Sequence, residues 1–174
     1  GAGVTTNSET VGIDSAMGTA IADAAAARRD YLDETGGRYV HIIADTEFEN
    51  SGNIAKAFAC GADGVALGPL LAQAREAGGK GWYWPATAGH PRFPRGFVQF
   101  SGADTDLDVD FLTTGTPAEA AEESAAPSLE TVLQGPSSEP FGRTNLVGAL
   151  RRSMAKCGYT DLKSFQKVEL AVRY

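Results

Sequence analysis

Asp45, Glu47 and Glu49 fall within five positions of one another, directly after the apolar run 40–44. A carboxylate at the end of such a run has two acceptor oxygens, which suits a vicinal diol; a strand-end Asp can also simply cap its loop. Three acids close together also suggest a divalent cation. Here there is no patterned loop and no histidine partner, so no metal is expected. Thr5 and Thr6 offer hydroxyls that bond a substrate or a water, or satisfy their own loop. Gly68 ends a second apolar run, at a point where backbone can approach a ligand closely. Arg95, in a Pro-Arg-Gly turn, is either a solvated loop charge or a group that helps activate water or pairs with an acidic ligand. Trp82, Tyr83 and Trp84 either stack on a ring or pack a loop onto the core. His41 and Cys60 read as core residues, one in a strand and one on a helix.

The elements that position these residues follow from pattern. Residues 39–69 read as strand, loop, helix and strand, one unit of a parallel α/β fold. Such folds place ligands at the carboxyl ends of their strands, where Asp45 and Gly68 stand. The run 40–44 has the continuous apolar character of a strand buried on both faces. Ser51 can cap the helix after it, Gly61 closes that helix, and 65–67 forms the next strand. Pro69 suits the first turn of a further helix. Upstream, a helix starts near Asp14 or Ser15 and stops at Gly36-Gly37. Its spacing puts Ala20, Ala24, Ala27 and Tyr31 inward and Arg28, Arg29 and Asp30 outward. Gly78 begins an ordered Gly/Pro-rich loop. Residues 105–111 alternate like an exposed strand, and 116–128 resemble a flexible linker. Thr144 caps a helix that Gly158 ends, Thr160 caps a short helix, and 168–174 reads as an edge strand.

Composition sets the outer bounds. The chain has 174 residues, 21% charged and 43% hydrophobic, which fits a folded globular protein. Its net charge of -7 is localised. Between Arg95 and Arg143 there is no Lys or Arg but there are nine acids, and -7 without those nine charges leaves +2. No basic face offers itself to phosphodiester backbones, so nucleic acid is not an expected partner. Two cysteines make neither a disulfide framework nor a zinc pattern. No run is long enough for a membrane span and no secretory signal is evident, so a cytoplasmic location is expected. Two core strands are far fewer than a (β/α)8 barrel requires in its ~250 residues. The expected fold class is therefore α/β, the C-terminal portion of a TIM barrel completed by another chain.

Several stretches, in order, resemble the IMP dehydrogenase/GMP reductase family, most closely its actinobacterial IMP-dehydrogenase-like branch. They are GAGVTT at the start, GIDSAMGTAIADAAAARRDYLDETGGRYVHIIAD, SGNIAKAFACGADGVALG, the PRG at 94–96, and NLVGALRRSMAKCGYTDLKSFQKVELAV. The resemblance implies an active-site loop, a phosphate-site helix, the last barrel strand, part of a mobile flap and a C-terminal helix and tail. The implied domains are barrel units with loop remnant and flap start at 1–100, an acidic flap or linker insertion at 101–140, and the C-terminal helix and tail at 141–174. It also implies a purine nucleotide substrate, an NAD(P) cofactor, a cysteine that attacks C2 of the purine, and a flap group that helps water hydrolyse the adduct.

Several positions depart from that pattern. The nucleophilic cysteine would precede the Thr-Thr pair, and Val4 stands there, with no lone pair to attack carbon. Asp45 matches the ribose-binding carboxylate. Two glycines that cradle phosphate are replaced by Thr46 and Glu47. A carboxylate ~4 Å from a phosphate charge costs about 4 kcal/mol at an effective dielectric of ~20. Pro69 stands where many relatives have Ser, and proline supplies neither hydroxyl nor N–H. The helix start at Ser51-Gly52 still offers anion-binding N–H groups. Candidate catalytic residues are thus Thr6 and Arg95, and candidate substrate residues are Thr5, Asp45, Glu47 and Gly68. Two functions are open: an altered oxidoreductase of this family, or a noncatalytic subunit that scaffolds or regulates an active paralogue within a hetero-oligomer.

Overall fold

The computed structural model describes residues 12, 15–46, 48–83 and 126–171, together with the backbone at 89–90, 93–94 and 99–100. Thr5, Thr6, Glu47 and Arg95 lie outside the described residues, as do Val4, Trp84 and the alternating segment 105–111.

The chain runs α1 (Met17–Glu34), β1 (Ile43–Asp45), α2 (Ser51–Ala59), β2 (Gly64–Ala66) and α3 (Pro69–Ala72). Then come β3 (Trp82–Tyr83), β4 (Gly89–His90), β5 (Phe93–Pro94) and β6 (Gln99–Phe100). Three helices follow: α4 (Leu129–Gln134), α5 (Leu146–Lys156) and α6 (Leu162–Phe165). β1 and β2 pair in parallel, Ile43 opposite Gly64 and Asp45 opposite Ala66, and α2 makes the crossover. This is the strand–helix–strand unit the sequence predicts. Two antiparallel ribbons, β3 with β6 and β4 with β5, extend from it. No helix among the described residues is long and apolar enough to cross a membrane.

The core forms where α2 meets the C-terminal helices. Ile54, Ala57 and Phe58 of α2 are buried with Leu146 and Met154 of α5, Phe165 of α6 and Val132 of α4. Apolar residues at helical spacing drive this packing. α4 is the element the sequence reading missed. Its LETVLQ lies inside a segment read as insertion, yet Val132 is fully buried and Ser128 caps it by accepting from Thr131 N–H at 3.1 Å.

Other expectations shift by local chemistry. Asn50, not Ser51, caps α2, accepting from Asn53 N–H at 3.0 Å. α5 has Asn145 at its N-cap in the left-handed region (φ 55), and Thr144 is buried beside it. Asp161, not Thr160, caps α6. Ala16 stands at the N-cap of α1, with no side-chain cap. α3 stops after one turn. Residues 168–171 are not a strand. The inward side of α1 carries Met17, Ala20, Ile21, Ala25, Ala26, Arg28 and Leu32; of the expected stripe Ala20 is half-buried, whereas Ala24, Ala27 and Tyr31 are exposed. Alanines on several faces give a helix little preferred orientation, and two specific contacts set this one. Ala25 lies against Gly61, where a glycine Cβ would fall 2.6 Å from the Ala25 methyl. Arg28 turns inward to meet Asp63.

β1 is shorter and more open than a strand buried on both faces. Ala44 is buried, but Val40 is 48% exposed and Ile43 59% exposed. His41 is correspondingly exposed, not core, with its ring edge-on to Tyr39. Cys60 is half-buried at the end of α2, and burial pushes its thiol pKa up. The apolar run predicts strand neighbours that the described residues do not include.

Candidate functional site

The carboxyl ends of β1 and β2 lie side by side. Asp45 ends β1 with its carboxylate exposed. Gly68 follows β2 as the residue before α3. These two predicted residues are brought to one end of the sheet, as the fold class requires. No group of three metal-ligating side chains occurs among the described residues.

The loop 137–144 closes over the start of α2. Gly142 carbonyl accepts from Ser51 N–H at 2.7 Å, and its φ of 75° suits glycine. A Cβ at Gly142 would stand 2.7 Å from Ser51 Oγ, so only glycine allows this approach. Buried Gln73 fastens the same loop to α3, donating from Nε2 to Leu70 and Arg143 carbonyls, both at 2.7 Å. Glu139 organises the loop from within. Its carboxylate accepts from the N–H groups of Phe141, Arg143 and Thr144 at 2.6, 2.7 and 3.0 Å. Burial would raise its pKa, but these donated bonds outweigh that and hold it low. Sequence reading placed Glu139 only among the nine acids between Arg95 and Arg143. The signal for its real role is the Ser-x-Glu-x-x-Gly-x-Thr spacing, which keeps donors within reach of one carboxylate.

Two of the backbone donors at the start of α2 are already engaged: Ser51 N–H bonds Gly142 and Asn53 N–H bonds Asn50. Pro69 opens α3 and has no N–H. Tyr83 of β3 lies on Gly68: a Cβ there would meet its Cζ, Cε2 and Oη at 2.6–2.7 Å. Beside this contact is an open cleft of about 400 Å³ lined by Leu67, Leu71, Ala72, Trp82 and Tyr83, with Gly68 at its edge. It presents flat aromatic and aliphatic surface.

The strongest electrostatic cluster lies at the opposite end. Asp63 precedes β2, its side chain 4% exposed. Arg28 pairs with its Oδ2, which also accepts from Ile42 N–H at 3.0 Å; Lys163 bonds Oδ1 at 2.5 Å and Tyr39 donates to Oδ1 at 2.6 Å. Gln166 reaches both Asp63 Oδ1 and Ala62 carbonyl. Lys163 and Arg28 both stand over the Tyr39 ring. Burial would raise the Asp63 pKa; the bonds from Lys163, Tyr39, Ile42 and Gln166 hold it well below the usual carboxylate range. The amino end of a strand is the wrong end for barrel catalysis. This cluster ties α1, the approach to β1 and α6 together.

Two parallel strands joined by a crossover helix make one unit of a parallel α/β fold. The model of the IMP dehydrogenase/GMP reductase domain matches residues 1–174, and the chain belongs to that family. An uncharacterized oxidoreductase of Mycolicibacterium smegmatis is 57% identical over 98% of this chain and 40% of its own length. One of Mycobacterium tuberculosis is 56% identical with the same coverage. The crystal structure of an IMP dehydrogenase/GMP reductase-like protein from Corynebacterium glutamicum shares 58% identity with a TM-score of 0.79, covering 98% of this chain and 40% of that one. An inosine-5'-monophosphate dehydrogenase of Methanocaldococcus jannaschii is 34% identical over 143 residues. The chain thus spans about 40% of the length of the mycobacterial relatives and of the Corynebacterium glutamicum protein, a C-terminal part of the barrel.

Proposed function

We propose that this chain is part of an IMP dehydrogenase/GMP reductase-like oxidoreductase whose substrate site has diverged. The observation that carries this reading is the pair Asp45 and Gly68, held at adjacent strand ends in a chain that the family model matches throughout. Asp45 binds the ligand's hydroxyl pair. Thr5 and Glu47 contribute to substrate recognition, and Thr6 and Arg95 to handling of water. The remaining barrel strands lie outside these 174 residues; a second chain or a family paralogue is the partner this reading assigns to the protein, in the cytoplasm. The flat cleft wall of Trp82 and Tyr83 fits a nicotinamide ring, and NAD(P), when bound, supplies the hydride acceptor or donor. With Val4 in the nucleophile's place, that loop position offers no thiolate for a covalent adduct.

Val4 also favours a second reading, a noncatalytic subunit that scaffolds or regulates an active paralogue. Nicotinamide-cofactor binding separates the two. Isothermal titration of NAD(P) into the assembled protein should give saturable heat, and Asp45→Ala should weaken a purine ligand by about tenfold to a hundredfold, the scale of hydrogen bonds to a charged group. No cofactor binding in the assembled protein would leave the scaffold reading.

A further inference from the structure

Two consecutive peptides of the loop 137–144 reach the elements that follow the strand ends, and one side chain aims both. The peptide between Gly142 and Arg143 has its carbonyl on Ser51 N–H at 2.7 Å, at the start of α2. Its N–H donates to Glu139 Oε1 at 2.7 Å. The next peptide, between Arg143 and Thr144, has its carbonyl on Gln73 Nε2 at 2.7 Å. Its N–H donates to the same Oε1 at 3.0 Å. A peptide unit is planar, so fixing its N–H fixes the direction of its C=O. A charged acceptor at the N–H also polarises the unit and strengthens the bond its carbonyl accepts. Gln73 completes the tie, because its NH2 group also serves the Leu70 carbonyl of α3 and so uses both of its donors. α3 in turn starts directly after Gly68, whose carbonyl accepts from Leu71 and Ala72 N–H. The ladder between the strands is short, Ile43–Asp45 against Gly64–Ala66, and a third element that bonds both following helices adds what the ladder lacks.

We propose that Glu139 is a positioning residue of the strand-end site: by aiming these two peptides it ties the start of α2 to α3, and so holds Asp45 and Gly68 in the arrangement that binds the ligand. The inference rests on the reading of these strand ends as a purine-ligand site. Glu139 acts through the Ser51 and Gln73 bonds, not on the ligand itself.

The test joins amide hydrogen exchange with equilibrium titration of inosine 5'-monophosphate, both on the full-length protein. Glu139→Ala should speed exchange at Ser51 and Leu71 by about tenfold or more relative to Ile42, whose N–H is held by Asp63 at the other end of the strand. Affinity for the probe should fall by about tenfold or more, the scale of a hydrogen bond to a charged group. Glu139→Gln keeps a carbonyl oxygen for both peptides and should restore most of the loss on both readouts. A merely structural residue gives a different pattern: Ile42 exchange rises with the others, and the folded protein binds the probe unchanged. Either of those results overturns the proposal. Gln73→Leu cuts only the α3 side of the tie. It should speed exchange at Leu71 but not at Ser51, weaken the probe, and add little to Glu139→Ala, because both act on one connection. Fully additive losses of affinity overturn the proposal. If Glu139→Ala does not fold, Glu139→Asp, which withdraws the carboxylate by one methylene, carries the same readouts. If wild type does not bind the probe, the purine-site reading fails by itself, and exchange decides the role of Glu139: a selective rise at Ser51 and Leu71 supports the tie, and a uniform rise or none overturns it.

Discussion

Asp63 shows how a residue can have a strongly perturbed environment without being a candidate for catalysis. Its carboxylate is buried, paired with Arg28 and Lys163, and located at the amino end of its strand. Removing one member of such a set leaves buried charge uncompensated, which typically costs ~3–5 kcal/mol. Asp63→Asn should lower stability by about that amount, read from the urea midpoint at pH 7. The pH dependence has a definite sign. The folded pKa of Asp63 lies below its unfolded value of about 3.9, so its stabilisation is complete above that pH and is lost as pH falls through the folded value. Lys163 is shifted the other way: burial would lower its pKa, but Asp63 and Tyr39 raise it. Its contribution is complete below about pH 10.4 and is lost as pH rises through the folded value. The stability gap between wild type and Asp63→Asn should therefore be flat from about pH 5 to 9 and narrow below about pH 4. A gap that widens on acidification contradicts this assignment. Gly148 gives a second test. Gly→Ala within a helix ordinarily gains up to about 1 kcal/mol. Here the new methyl would stand 2.0 Å from Asn145 Oδ1. Gly148→Ala should instead destabilise by about 1–3 kcal/mol, as overpacking does, measured by the same denaturation.

The helices show what sequence makes legible and what it does not. The β1–α2–β2 unit was readable because apolar runs, a capping segment and a closing glycine all agree, and Gly61 indeed has φ 114°. Assigning the cap of α2 was harder. Asn50 and Ser51 are both good caps, and only the loop from Gly142, nearly a hundred residues later, commits Ser51 N–H elsewhere. The same non-local cause hid the inward turn of Arg28, whose partner Asp63 lies 35 residues on. Glu139 is different: its donors are its near neighbours Phe141, Arg143 and Thr144, in a loop whose geometry helix and strand periodicity does not encode. Asp45 and Gly68 were legible because strand ends are marked locally; the ring that covers Gly68 was visible only as one of three aromatics. Asn50→Ala tests the cap. It should cost about 1 kcal/mol of stability and increase hydrogen exchange at Asn53, because that N–H loses its acceptor. Ser51→Ala should leave Asn53 exchange unchanged. Equal effects of the two substitutions would return the cap to Ser51.

At the scale of the whole molecule, β1 carries the least satisfied surface. It has one strand partner, β2, among the described residues, and Val40 and Ile43 are about half exposed. A strand with an apolar outer side and an open edge is a template for further strands. In a barrel those would be parallel neighbours, covering the side chains that stand open here. A single substitution separates this picture from one in which Ile43 simply faces water. Ile43→Asp changes an exposed position in this chain, where a surface substitution typically costs within about 0.5 kcal/mol. In the assembled barrel the same change buries a carboxylate at the expense of an Ile side chain worth about 1.5–3 kcal/mol when fully buried. Denaturation of the assembly should then show a loss of that size or more, and native mass spectrometry should show the companion strands dissociating when they belong to a second chain. A small, equal effect in the 174-residue chain and in the assembly would mean that β1 faces solvent in both, and that the remaining strands of the barrel dock elsewhere.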